Sequence, residues 1–194
     1  IGIHAITSVD LADEITINTY DDVSASKGIY VDVEDDHDIT IVANASVYGR
    51  ENAIRIANES NRSDDLAPRA DISVTVKGDT TSETESAIDV FSTYSNISTT
   101  LGSGSLVKSR QSFGVALSTN KGLGSILLEG TEAADGTNTS TISGNTMGAR
   151  LVTQGGNIKV QNLDRVSGDG AQGIYARSIG GTITLENIDN VTSQ

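Results

Sequence analysis

Cysteine and tryptophan are absent from the 194 residues, and there is one proline, one methionine, two histidines and only seven Phe plus Tyr. Each scarcity closes a class of explanation. Without Cys there is no disulfide framework to staple a small fold. A zinc site built on Cys, or on several histidines, cannot come from His4 and His37 alone. Lys and Arg number 13 against 26 Asp and Glu, a net charge of −13, which is the opposite of the basic face expected of a nucleic-acid binder. No run approaches the ~18 apolar residues of a membrane-spanning helix. The first twenty residues also lack a basic stretch followed by an apolar one, so no secretory leader is read there. A chain free of Cys suits passage through an oxidising periplasm, where no disulfide can then lock it early.

What is present is aliphatic and unevenly charged. Ile, Leu, Val and Phe number 48 of 194, above the level of disordered chains. Residues 1–100 hold 19 acidic and 6 basic side chains, whereas residues 101–194 hold 7 of each. The acidic half should repel phosphate-rich and sulfated partners at long range, and a solubilising surface explains it as well.

The strongest signal is a repeat. A small residue followed by aliphatic, any, aliphatic or Ala occurs seven times: at Gly2, Gly28, Ala53, Ala87, Gly114, Gly148 and Gly173, at spacings of 26, 25, 34, 27, 34 and 25 residues. Between these copies lie the pairs Ile15/Ile17, Ile39/Ile41, Ile72/Val74, Ile126/Leu128, Ile158/Val160 and Ile183/Leu185, with Ile97/Thr99 as a weaker copy. Eight residues after the first member of a pair comes Val23, Val47, Val166 or Val191, with Ala134 in a fifth copy. Alternation with period two places successive side chains on opposite faces of a strand. Strands this short bury too little alone, but stacked turn on turn in parallel they make continuous interior rows.

The expectation is therefore an all-β, right-handed parallel β-helix of about seven rungs of ~25 residues, as one unit over 1–194. Gly or Ala before the first strand suits a sharp corner, and Pro68 lies outside every repeated strand. A β-sandwich also uses many short strands, but does not require one side-chain pattern to recur at this period. Two repeats are longer, with insertions near 57–71 (Asn61, Arg62, Asp64, Asp65 and Pro68) and 129–147. Solenoid insertions emerge as loops, often on the binding face. Val191 falls in mid-turn, and a bare strand edge is sticky, so further coils or a covering partner are expected at that end.

Gly173-Ile174-Tyr175-Ala176-Arg177-Ser178 with Gly180-Gly181-Thr182-Ile183-Thr184-Leu185-Glu186-Asn187 resembles a rung of bacterial autotransporter passenger domains, the adhesins and self-associating proteins of type V secretion. Gly28-Ile29-Tyr30-Val31 with Asp38-Ile39-Thr40-Ile41 is a second such rung. Phage tailspikes and pectate lyases share the backbone logic. The resemblance implies export through the outer membrane, a place at the bacterial cell surface or outside the cell, anchoring through a barrel that is not in this segment, and a virulence-linked adhesive role.

Outward residues of the first strand form one row: His4, Tyr30, Arg55, Asp89, Ala116, Arg150 and Tyr175, with Arg177 two residues further on the same face. Tyr and Arg are the side chains that most often dominate interfaces, so Tyr30, Arg55, Asp89, Arg150, Tyr175 and Arg177 are the candidate contact residues; plain solvent decoration of a strand is the alternative. A second outward row is Thr16, Thr40, Ser73, Ser98, Lys159 and Thr184, interrupted by Leu127. Just before the second strand, Glu14, Asp38 and Asp71 stack and are followed by Asn96 and Asn157. With Asp32, Glu34, Asp35 and Asp36, such carboxylates offer oxygen ligands to Ca²⁺, although Asp and Asn are also ordinary turn formers.

No Ser–His–acid arrangement is legible, and no carboxylate pair stands out as glycosidase-like. Together with these absences, the resemblance to autotransporter passengers implies a non-enzymatic adhesin without cofactor, binding a host protein or glycan, or a copy of itself. A carbohydrate-active β-helix and a secreted effector acting on a host receptor are the alternatives.

Overall fold

The computed structural model describes residues 2–7, 14–34, 37–60, 68 and 70–193. Among them there is no helix. The chain winds as seven coils of short strands. The first coil contains β1 (Ile3–Thr7), β2 (Ile15–Thr19) and β3 (Val23–Ala25), and the second β4 (Ile29–Glu34), β5 (Ile39–Ala43) and β6 (Val47–Gly49). The third has β7 (Ile54–Glu59), β8 (Asp71–Val76) and β9 (Thr80–Ser82), and the fourth β10 (Ile88–Ser92), β11 (Asn96–Leu101) and β12 (Leu106–Ser109). The fifth has β13 (Val115–Thr119), β14 (Ile126–Gly130) and β15 (Thr141–Gly144). In the last two coils the second and third strands fuse, giving β16 (Ala149–Thr153) with β17 (Ile158–Gly168), then β18 (Ile174–Ser178) with β19 (Ile183–Ser193).

Every strand pairs in parallel with its counterpart one coil away. The first strands form a seven-stranded sheet in the order β1-β4-β7-β10-β13-β16-β18. The second and third strands form two stacks, β2 to β14 and β3 to β15, joined at β17, on which β19 also pairs. This is a parallel β-helix.

The register explains why the repeated sequence folds so. Ile3, Ile29, Ile54, Ile88, Val115, Ala149 and Ile174 lie one above another. So do Ile15, Ile39, Ile72, Ile97, Ile126, Ile158 and Ile183. The middle coils of these rows, with Val31, Ile41, Val74, Leu117 and their equivalents, are the core; Ile3, Ile15 and Ile174 pack half-buried against it, and Ile183 is exposed. Burying one such side chain contributes about 1.5–3 kcal/mol, and no coil could bury its own row without a neighbour.

Three positions differ from the sequence expectation. The third inward row runs Val23, Val47, Thr80, Val107, Ile142, Val166 and Val191, so Thr80 and Val107 fill slots that no Val eight residues on had marked. Ala134 does not hold the fifth slot. It sits exposed in the turn of an excursion over 131–140, and Ile142 takes the place, because the inserted residues fall between the second and third strands. The small residue before the first strand sits at a bend of the chain, as expected at Gly28, Ala53, Ala87, Gly114, Gly148 and Gly173, and is crowded as well. A Cβ on Gly148 would lie 2.6 Å from the Gly173 carbonyl oxygen and 2.6 Å from Val166 Cγ1, while its φ is ordinary.

The corner after the first strand is polar and buried. Asn58, Ser92, Thr119, Thr153 and Ser178 occupy one register row. Asn58 Nδ2 donates to the His37 carbonyl and to Ser95 Oγ, each at 3.2 Å, and Ser178 Oγ donates to the Gly156 carbonyl at 2.8 Å. Backbone groups that leave the sheet at this bend thereby keep partners away from water.

Candidate binding face

The first outward row is assembled as its spacing requires. His4, Tyr30, Arg55, Asp89, Ala116, Arg150 and Tyr175 are register partners on successive strands, and Arg177 pairs with Val152 beside Tyr175. Adjacent members are about 4.8 Å apart.

The row divides into two chemically different parts. At its N-terminal end the rings of His4 and Tyr30 lie 5.0 Å apart, tilted by 52°. Lys27 Nζ stands 4.6 Å and Arg55 Cζ 5.9 Å from the Tyr30 ring centroid, both within cation–π range. Arg55 also reaches Glu85 at 3.7 Å and Asp89 at 3.9 Å, and Lys27 reaches Glu51 at 3.6 Å. Burial pushes the Asp89 carboxyl above the usual carboxylate range; Arg55 opposes that rise, Glu85 adds to it, and Arg150 lowers it further away. This end is neutralised within the protein.

Ala116 then interrupts the row, and beyond it lie Arg150, Tyr175 and Arg177. Among the described residues, Arg150 and Arg177 have no carboxylate within ion-pair distance. The Arg150 and Arg177 guanidinium groups flank one phenol on the sheet, a set that offers forked donors and an aromatic face.

The second outward row also forms: Thr16, Thr40, Ser73, Ser98, Leu127, Lys159 and Thr184 are in register. Lys159 pairs with Glu186 at 3.1 Å. Over Ser73, Ser98 and Leu127 the sheet face carries an open depression of about 590 Å³, which the residue spacing alone did not reveal.

The row of Glu14, Asp38, Asp71, Asn96 and Asn157 works as a chain of turn acceptors. Asp38 Oδ1 accepts the Asp71 amide at 2.8 Å, and Asp71 Oδ1 accepts from Asn96 Nδ2 at 3.0 Å. Asn96 Oδ1 takes the Ser125 amide at 3.0 Å, and Asn157 Oδ1 the Thr182 amide at 2.9 Å. Glu14 accepts the Thr16 hydroxyl at 2.8 Å, and Asp32 accepts the Tyr30 hydroxyl at 3.4 Å. These contacts relieve the repulsion of stacked carboxylates. Among the described residues no three His or acidic side chains converge as a metal site. Asp35 and Asp36 lie outside the described residues, as do Asn61, Arg62, Asp64 and Asp65 of the first insertion; Pro68 lies between strands.

Compared with models of protein families, with curated proteins and with solved structures, the chain matches none. The depression over Ser73 and Ser98, and a polar cavity beside residues 131–140, are features that residue spacing did not disclose.

Proposed function

We propose that the chain is part of a bacterial surface or secreted adhesin of the autotransporter passenger type, a binding module rather than an enzyme. Its contact surface is the first outward row, and its target is a host surface molecule or a second copy of the protein. The observation that carries this reading is the C-terminal part of the row: Arg150, Tyr175 and Arg177 stand on one sheet and, among the described residues, neither arginine has a carboxylate within ion-pair distance. Side chains of this kind supply most binding energy where interfaces have been dissected. Here the parallel register holds them without ordering a loop on binding, which lowers the entropic cost.

The sequence resemblance of the Gly28 and Gly173 rungs to autotransporter passengers supplies the cellular setting: export, surface display and anchoring by a separate barrel. The acidic character of the N-terminal half accords with a partner that is not rich in phosphate or sulfate.

Beads coated with the chain test the reading in two arms, adhesion to cultured epithelial cells and clumping of the beads with one another. At least one arm is expected to be positive, and Arg150→Ala with Tyr175→Ala should reduce it about tenfold or more. Inert beads in both arms, or adhesion indifferent to both substitutions, would overturn it. Antibody labelling of intact bacteria expressing the complete reading frame tests surface display.

A further inference from the structure

The excursion between β14 and β15 is a built structure. Ala133 N–H donates to the Thr137 carbonyl at 2.7 Å and Gly136 N–H to the Ala133 carbonyl at 2.9 Å. The Asp135 carboxylate accepts both the amide and the hydroxyl of Thr137, at 3.0 and 2.6 Å, which holds its pKa below the usual range. Asn138 Oδ1 accepts the amide and hydroxyl of Ser140 at 3.0 and 2.7 Å. The excursion is also tied to the preceding coil, by Thr131 N–H to the Leu101 carbonyl at 2.8 Å and by the Thr139 and Ser103 hydroxyls at 3.1 Å.

Between this excursion and the next two coils lies a cavity of about 530 Å³, bordered by Glu132 and Thr139 on one side and by Asn162, Asn187 and Asp189 on the other. Its size falls in the ordinary range of small-molecule sites, about 300–1,000 Å³. Asn162 and Asn187 occupy the bend in β17 and β19 with φ of 55° and 51°, and Asn187 Nδ2 donates to Asn162 Oδ1 at 3.1 Å. That bond leaves Asn162 Nδ2 and Asn187 Oδ1 without a protein partner. The wall thus holds a carboxamide donor and a carboxamide acceptor beside the carboxylates of Glu132 and Asp189, with no Lys, Arg or aromatic ring among its lining residues.

The absence of a lining cation beside two carboxylates disfavours anionic ligands. The lining holds no large aliphatic side chain, which gives little to a bulky hydrophobic ligand. A ligand dense in groups that both donate and accept fits the unsatisfied set, since each hydroxyl can give a proton to a carboxylate and take one from a carboxamide. We propose that this cavity binds a neutral saccharide. The proposal uses residues separate from Arg150, Tyr175 and Arg177 and stands whether or not that row is a contact surface.

The isotope-labelled chain is titrated by NMR with lactose, maltose and N,N′-diacetylchitobiose, up to about 10 mM, against a ~1 mM dissociation constant for a weak site. A heparin disaccharide serves as the anionic comparator. At least one neutral sugar is expected to shift the side-chain amide signals of Asn162 and Asn187 and the backbone signals of 131–140. Glu132→Ala and Asp189→Ala, both exposed and outside the core, should each weaken it about tenfold, and Thr139→Val should weaken it as well. The shifts should persist in Tyr175→Ala. Absence of shifts with all three sugars overturns the proposal. So does equal binding of the heparin disaccharide, indifference to both acidic substitutions, or loss of the shifts in Tyr175→Ala. A protein ligand that needs Glu132 and Asp189 while no sugar binds would also overturn it.

Discussion

Thr119 donates its hydroxyl proton to Thr153 Oγ1 at 2.9 Å, and Thr153 passes its own to the Gly124 carbonyl at 2.8 Å while accepting the Gly156 amide at 3.1 Å. Both hydroxyls are buried, so Thr153→Val leaves the Gly156 amide without its acceptor in a dry corner. The expected loss is about 2 kcal/mol in urea unfolding, with Thr153→Ser costing less because it keeps the oxygen.

Thr80 and Thr99 reverse that sign. Both point into the core with hydroxyls that have no partner, in slots whose neighbours are Val47, Val107, Val74 and Leu128. Thr80→Val and Thr99→Val remove a polar group that burial penalises without changing shape. Each should raise stability by about 1 kcal/mol, read as a higher urea midpoint at unchanged slope.

Asn96 links Asp71 to the Ser125 amide. Asn96→Ala is expected to cost about 1 kcal/mol. Asn96→Asp should cost more at neutral pH, since a carboxylate would then face the Asp71 oxygen 3.0 Å from the present amide nitrogen. The excess should shrink as acid protonates the pair, which urea melts at two pH values would detect.

Gly144 is crowded and Gly136 is open. A Cβ on Gly144 would overlap the Met147 carbonyl oxygen, whereas one on Gly136 meets nothing within 4 Å but must adopt a φ of +79°. Gly144→Ala should therefore cost several times the ~1 kcal/mol of Gly136→Ala, in thermal or urea melts.

Asp89 should titrate above an exposed aspartate, because burial raises its pKa and Arg55 only partly offsets this. The folded state then binds a proton more readily than the unfolded chain. The Asp89 contribution to stability should fall as pH rises from the ordinary carboxylate value through the raised one. Arg55→Ala removes the opposing charge and should move the midpoint higher still, followed by the carboxyl carbon shift of Asp89 in NMR.

The architecture was legible wherever a coil keeps its standard length. Ile15/Ile17 and Ile39/Ile41 mark the second strand, and the outward row from His4 to Tyr175 follows from counting alone. Counting failed at the third strand of coils three to five. Thr80 is a polar residue in a core slot, Val107 is displaced by two residues, and Ile142 is displaced by the excursion that misassigned Ala134. A hydroxyl buried at a corner, as in Thr119 and Thr153, has the same composition signal as one on a solvated strand. The cavity beside Asn162 and Asn187 depends on how Asp135 and Asn138 fold their own loop, which no periodic pattern encodes.

Because each strand pairs with its counterparts in the coils before and after it, copy number is a free variable. Excision of 148–172 would set Gly173 directly after Met147 in unbroken phase, bringing Ile174 over Val115 and Ile183 over Ile126. Unequal crossing-over in the gene could therefore lengthen or shorten the rod by whole modules, moving Tyr175 nearer to or farther from Tyr30 while every remaining joint stays as it was.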